Sequence, residues 1–209
     1  MEVNPLIRTT RSKLSNPIIY EGNTIDEKIQ NGMNNFYNIF LKKEIKPKYK
    51  DVDIFFDMNR IYQRSIVMPY PLSFMHIISL NNDEKYNLFP CTNDISNEIC
   101  ENNCTSHSAL PRFQAYNRWE CMYRLSRIHW IPEIIQLANI DDPDVYIFTE
   151  NKNDGKHKFV DYNIRYLCGV DDYLIILRAE SRRSDLLFIT AYPVVSVRKK
   201  EDLNIKCKK

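Results

Sequence analysis

The spacing of apolar positions changes along the chain and marks out its elements. From Ile25 to Leu41, residues Ile25, Ile29, Met33, Phe36 and Leu41 fall near helical spacing and predict an amphipathic helix, with Gly32 as a weak point inside it. Lys42 to Lys50 is a basic run containing Pro47 and reads as a connector. In Asp51 to Leu80 the apolar residues become denser. Ile54, Phe55 and Phe56 start a strand or a short helix. Phe74 to Leu80 has the length and β-branched content of a strand, closed by Asn81-Asn82-Asp83. Asn81 to Ser108 is polar, holds cysteines and has little periodicity, as expected of a long ordered loop or insertion.

After Arg112 the pattern sharpens. Asn117 can cap a helix through Trp119, Met122, Tyr123 and Leu125, and Pro132 suits the first turn of another, Glu133 to Ala138. Val145 to Phe148 then reads as a strand, Asn151 to Gly155 as a turn and Lys158 to Leu167 as an alternating return strand. Asp171-Asp172 leads into a strand from Tyr173 to Arg178, and the polar turn Glu180 to Ser184 into a last one, Leu186 to Val197. The prediction is α+β: an N-terminal helical or irregular part (residues 1–50), then one domain (51–209) with a helix on an antiparallel sheet of about four strands.

Composition narrows the function. Only four glycines occur against ten prolines, and no Gly-rich nucleotide-binding fingerprint is present, which argues against mononucleotide and dinucleotide enzymes. The formal charge is +2, but from Lys152 onward thirteen Lys and Arg face eight Asp and Glu. That mild excess suits a polyanion through counterion release, and equally a solvated surface. No run approaches the roughly 20 apolar residues of a membrane span, and Met1 to Pro5 lacks the order of a signal peptide. These features point to a cytoplasmic protein with reduced cysteines and no membrane partner.

Three stretches carry a family resemblance: Arg124-Leu-Ser-Arg127-Ile-His-Trp130-Ile131, Asp172-Tyr-Leu-Ile-Ile-Leu177 and Phe188-Ile-Thr190-Ala-Tyr192-Pro193. Together they resemble the phage-associated nuclease-like domains grouped with barnase, EndoU, colicin and RelE toxins, over about residues 112 to 200. The resemblance implies metal-independent RNA cleavage by attack of the ribose 2′-OH on the adjacent phosphate. It implies RNA, tRNA included, as the substrate, and a cognate inhibitor or partner protein.

Such chemistry needs a base for the 2′ proton, an acid for the leaving 5′ oxygen and fixed donors for the phosphorane charge. Arg124 and Arg127, three apart on one helical face, can clamp phosphate, with His129 as acid or base; the competing reading is surface arginines and a structural histidine. Arg165 shares a strand face with Asn163, and Thr190 shares one with Tyr192, so these can join the catalytic set. Lys156, His157, Lys158 and Arg178 are candidate RNA contacts, or else solvated charges, as Arg182 and Arg183 are. No cofactor is expected. Cys91, Cys100, Cys104 and His107 are weak candidates for a structural zinc, against a default of incidental thiols. The alternative function is a nuclease-like fold without catalysis that binds RNA or protein; a plain interaction domain is the third reading.

Overall fold

The computed structural model describes residues 12–42, 46–63, 66–81, 113, 116–155 and 157–207. Helix α1 (Ile25–Phe40) starts at Thr24, whose hydroxyl accepts from Glu27 N–H, while the Glu27 carboxylate accepts from Asn23 N–H at 2.6 Å. This pair of reciprocal bonds satisfies donors that a helix start otherwise leaves open. Its buried face is Ile29, Gly32, Met33, Phe36 and Phe40; the expected Leu41 is exposed, one residue past the helix end. Strands β1 (Lys48–Tyr49) and β2 (Val52–Phe55) form a tight hairpin, followed by a second hairpin, β3 (Arg60–Gln63) and β4 (Ile66–Pro71).

Helix α2 (Leu72–Ile78) comes next, and β5 (Ser79–Asn81) pairs antiparallel with β6 (Arg118–Glu120). A single turn, α3 (Met122–Leu125), precedes α4 (Trp130–Asn139). Four long strands follow: β7 (Val145–Asn153), β8 (Lys158–Cys168), β9 (Asp171–Glu180) and β10 (Leu186–Pro193). Helix α5 (Val197–Lys206) ends the described chain. The main sheet has the order β1-β2-β10-β9-β8-β7.

The fold is therefore α+β, and the expected four antiparallel strands are corrected to six of mixed direction. Strands β7 to β10 do form an antiparallel meander, but β2 adds to β10 in parallel, at Leu186 and Leu187. The β1–β2 turn explains why this extension escapes a sequence reading. Lys50 and Asp51 both have positive φ, 48° and 64°, in a two-residue hairpin that ordinarily calls for Asn-Gly. Asn139, at the end of α4, holds the turn from outside. Its Oδ1 accepts from Lys50 N–H and its Nδ2 donates to the Lys48 carbonyl, each at 2.8 Å.

Three further expectations change. Phe74 to Ile78 is helical rather than extended, because a short run buried on nearly every side has no period to choose between the two. Asn117 takes a positive φ in a turn instead of capping a helix, so Arg118 and Trp119 lie in β6. The last strand stops at Pro193, and Val197 begins a helix capped by Ser196.

The sheet buries one face against α1, α2 and α4. An aromatic chain crosses this core: the Phe36 ring lies 4.8 Å from Phe40, 5.4 Å from Phe74 and 5.9 Å from Phe56. Phe56 in turn stacks on Phe188 of β10 at 4.8 Å. Helix α5 lies over the opposite face, where Leu203 packs with Leu174 and Val194. In β10 the register shifts between Phe188 and Thr190; this bulge keeps Phe188 in the core and turns Thr190 and Tyr192 toward the α5 side.

Because Phe36 joins α1 to both α2 and the β2 end, Phe36→Ala is expected to cost about 3–5 kcal/mol in urea unfolding. A loss below about 1 kcal/mol would show that α1 is an appended part and not a wall of the core.

Candidate functional site

Strand β2 pairs with β10 only at Leu186 and Leu187, so among the described residues the rest of that edge has no strand partner. Helix α2 packs there instead, and the chain leaves it at Ser79, which is fully buried. Ser79 gathers charge. Its hydroxyl donates to the Met75 carbonyl at 2.6 Å and accepts from Arg118 Nε at 2.7 Å. Its carbonyl accepts from Arg118 Nη2 at 2.8 Å and from Arg124 Nη1 at 2.7 Å. Two guanidiniums thus converge on one backbone oxygen, using both of its lone pairs. The Arg124 guanidinium also lies 5.5 Å from the centre of the Tyr192 ring, within cation–π range.

His76 lies in the last turn of α2, three residues before Ser79 in sequence, and the Arg118 charge acts on it. It is half-buried. Burial first, and the Arg118 charge second, push its pKa below the usual histidine value, which leaves the imidazole neutral at pH 7. Glu120, 1% exposed, is the residue directly across from Ser79 in the β5–β6 pair. The arrangement combines an imidazole, two guanidiniums, the buried carboxyl group of Glu120 and a tyrosine at a strand end. The imidazole, the guanidiniums and the tyrosine hydroxyl are groups that can bind and polarise phosphate.

Of the residues singled out from sequence, Arg124 and Tyr192 meet here, with Thr190 on the same face of β10 as Tyr192. Arg127 is buried nearby on the turn after α3. Its Nη1 donates to the Tyr123 carbonyl and the Ser126 hydroxyl, each at 3.0 Å, and its guanidinium stacks 3.5 Å from the Tyr123 ring centre. His129 serves another contact. Its Nε2 donates to the Asn16 carbonyl at 3.1 Å, in a strap where Trp130 Nε1 also donates to the Ser15 carbonyl at 2.7 Å. Burial lowers its pKa too, against the pull of Glu133.

Arg165 lies on the α5 side of the sheet and is only 1% exposed. Its Nε and Nη2 grip Asp172 at 2.8 and 2.7 Å, and Nη1 donates to Asn204 of α5 at 2.8 Å. Burial opposes its charge, yet Asp172 outweighs burial and holds the pKa above the ordinary guanidinium value. Arg178 pairs with buried Asp161 at 2.7 Å and stacks 3.6 Å over Phe159. Lys152 shares that carboxylate at 2.8 Å. His157 is exposed on the β7–β8 hairpin beside Asp154, and Lys158 borders a surface hollow of about 590 Å³ with Phe159 and Glu180.

Lys156, Cys91, Cys100, Cys104 and His107 lie outside the described residues. Among the described residues no group of three or more His, Cys, Asp or Glu is placed to hold a metal ion. No helix among them is long and apolar enough to cross a membrane.

His76 and Arg118 are the site residues that sequence reasoning missed. His76 sat in a run read as a strand, and Arg118 in a run read as a helix. No local signal marked either one, because Ser79 lies just past the end of α2 and the arginines that reach it come from 39 and 45 residues away.

The lowered histidines set a pH dependence of stability. In the folded chain His76 and His129 resist protonation, whereas in the unfolded chain they take protons near pH 6.5. The unfolded state then binds more protons, so stability is full above that value and falls as pH drops below it. The urea midpoint is expected to fall between pH 7 and pH 5, and less steeply in His129→Gln. An unchanged slope in that variant would show that His129 is solvated rather than clipped to the strap.

Comparison with family models, with curated proteins and with solved structures finds no match for this chain.

Proposed function

We propose that the chain is an RNA-directed, metal-independent ribonuclease-like domain whose phosphate site is the Ser79 cluster. The observation that carries the reading is the convergence of Arg118 and Arg124 on Ser79, with His76 alongside and Tyr192 against Arg124. Each group has a part in 2′-OH attack. His76, neutral at pH 7, takes the 2′ proton. Arg118 and Arg124 offset the charge that develops on the phosphorane oxygens. Tyr192 supplies a hydroxyl for the leaving 5′ oxygen, and Thr190 on the same strand face orients the phosphate. The sequence resemblance to phage-associated nuclease-like domains, which includes Arg124, Thr190 and Tyr192, supports the same reading.

One observation favours a second reading, a nuclease-like fold that binds RNA or protein without cleaving it. Arg165, Arg178 and His129, all plausible catalytic or RNA-contacting groups by sequence, are engaged by Asp172, Asp161 and the Asn16 carbonyl. A site that depends on a single imidazole has little redundancy, and loss of catalysis would leave the arginine pair as a binding surface.

Incubation with total RNA and labelled tRNA in EDTA separates the two. The expected result is cleavage leaving 2′,3′-cyclic phosphate ends, reduced by about 10²–10⁴-fold in His76→Ala, with Arg165→Lys much less affected if it still folds. RNA binding without cleavage by well-folded protein would establish the binding module. Neither binding nor cleavage would overturn the RNA reading altogether.

A further inference from the structure

The two edges of the main sheet are unlike. At one end β1 is two residues long; at the other β7 runs for nine, and among the described residues no strand pairs with its outer side. Its register against β8 is continuous from Val145 to Asn153, with no bulge and no proline. A long, straight edge of that kind is a template for another strand, and folds commonly blunt it with charge, proline or a bulge. Here charge enters only at Glu150 and Lys152, so Val145 to Thr149 is left unguarded. A groove of about 660 Å³ runs along this stretch, lined by Val145 to Glu150 together with Lys206 and Cys207.

One hydrogen bond fixes which backbone groups face out. The Leu167 N–H donates to the Asp144 carbonyl at 2.9 Å, so Asp144, Tyr146 and Phe148 turn their backbone toward β8. Val145, Ile147 and Thr149 turn theirs outward. The Val145 N–H donates to the Asp142 carbonyl at 2.9 Å, which leaves the Val145 carbonyl and both groups of Ile147 and Thr149 along the open edge.

The side chains decide what fits there. Val145, Ile147 and Thr149 are β-branched and share one face; Tyr146 and Phe148 are aromatic and share the other. The order of types reads the same in both directions, which is the condition for a strand to pair antiparallel with its own copy about a two-fold axis. With the axis at Ile147, that residue meets Ile147 of the second copy, Val145 meets Thr149, and Tyr146 meets Phe148. Aromatic and β-branched cross-strand pairs of this kind stabilise a sheet. The next pair outward sets Asp144 against Glu150, and both carboxylates already have cations. Lys13 lies 2.7 Å from Asp144, while Lys152 at 3.5 Å and Lys206 hold Glu150. The like-charge repulsion at that pair is thereby offset.

We propose that two copies of this chain pair through β7, antiparallel and centred on Ile147, and so join their sheets into one. The Ile147 N–H and carbonyl exchange bonds with those of the second copy, and each Thr149 N–H donates to the opposite Val145 carbonyl. The edge from Val145 to Thr149 is small beside the interface of a permanent dimer, so the association is reversible, with a Kd of about 1–100 µM. Strand β7 lies three strands from β10, so the pairing does not draw on the Ser79 cluster.

Sedimentation equilibrium is the test. The wild-type mass is expected to rise from one chain to two across about 1–100 µM. Ile147→Lys and Ile147→Glu each set like charges directly opposite one another, and each is expected to weaken association by about tenfold or more. Mixed in equal amounts, the two variants set Lys against Glu and are expected to associate again, because position 147 faces its own copy only in this register. Ile147 is 37% exposed, so the Tm of either variant, measured well below the association midpoint, should stay within about 3 °C of wild type.

Wild-type affinity in either single variant, or a mixture that stays monomeric, would overturn the register and with it the proposal. A wild-type chain still monomeric at about 500 µM would overturn self-pairing and leave this edge to a strand of another protein.

Discussion

The short parallel pairing of β2 with β10 is the constraint on which the rest of the structure depends. It lasts for two residues, Leu186 and Leu187, and the bulge that follows changes the facing of β10. Had β2 continued, a sheet neighbour would occupy the edge where α2 now packs. Because it stops, α2 can deliver Ser79 and His76 to that end of the sheet, and β6 can bring Arg118 to them. The stacking of Phe56 on Phe188 fixes where β2 ends, and Phe36 and Phe40 anchor Phe56 from the other side. Packing therefore decides the position of the polar cluster, and the cluster does not need to be stable by itself.

The second organising feature is how the chain treats its buried charges. Arg165 and Arg178 lie on the face that α5 partly covers, and each meets an aspartate in two-point contact. Removing one partner from a pair like Arg165–Asp172 typically costs about 3–5 kcal/mol, so these arginines are tied to the fold. Arg118 and Arg124 both donate to the Ser79 carbonyl, and Arg127 donates to a carbonyl and a hydroxyl and lies against aromatic rings. Convergence on one carbonyl turns the Arg118 and Arg124 guanidiniums toward the same point, which is the basis for placing function at this end of the sheet.

Much of the C-terminal meander was legible in the sequence, because its strands are apolar, β-branched or alternating runs of strand length and the turns between them carry Asp, Asn or Gly. The N-terminal strands were not. The β1–β2 turn is built on Lys50 and Asp51, and its support, Asn139, lies 89 residues away. Helix α2 was read as a strand because its apolar run is buried nearly all round, and that single misreading concealed His76. Arg124 and Tyr192 were picked out by residue type and do meet, whereas Arg165 was placed on the correct strand face without any sign that Asp172 and α5 would cover it. Residue chemistry and strand facing can be read locally; what covers a face cannot.

The most direct measurement is a proton NMR titration of the histidine ring signals with a non-cleavable single-stranded oligoribonucleotide. The chain has four histidines, so the signals can be assigned by single substitutions. The account predicts that the His76 resonances shift on binding while those of His129, clipped to the strap, and His157, on the hairpin, stay in place. Shifts at His157 with His76 unmoved would contradict it and move the RNA contact to the β7–β8 hairpin.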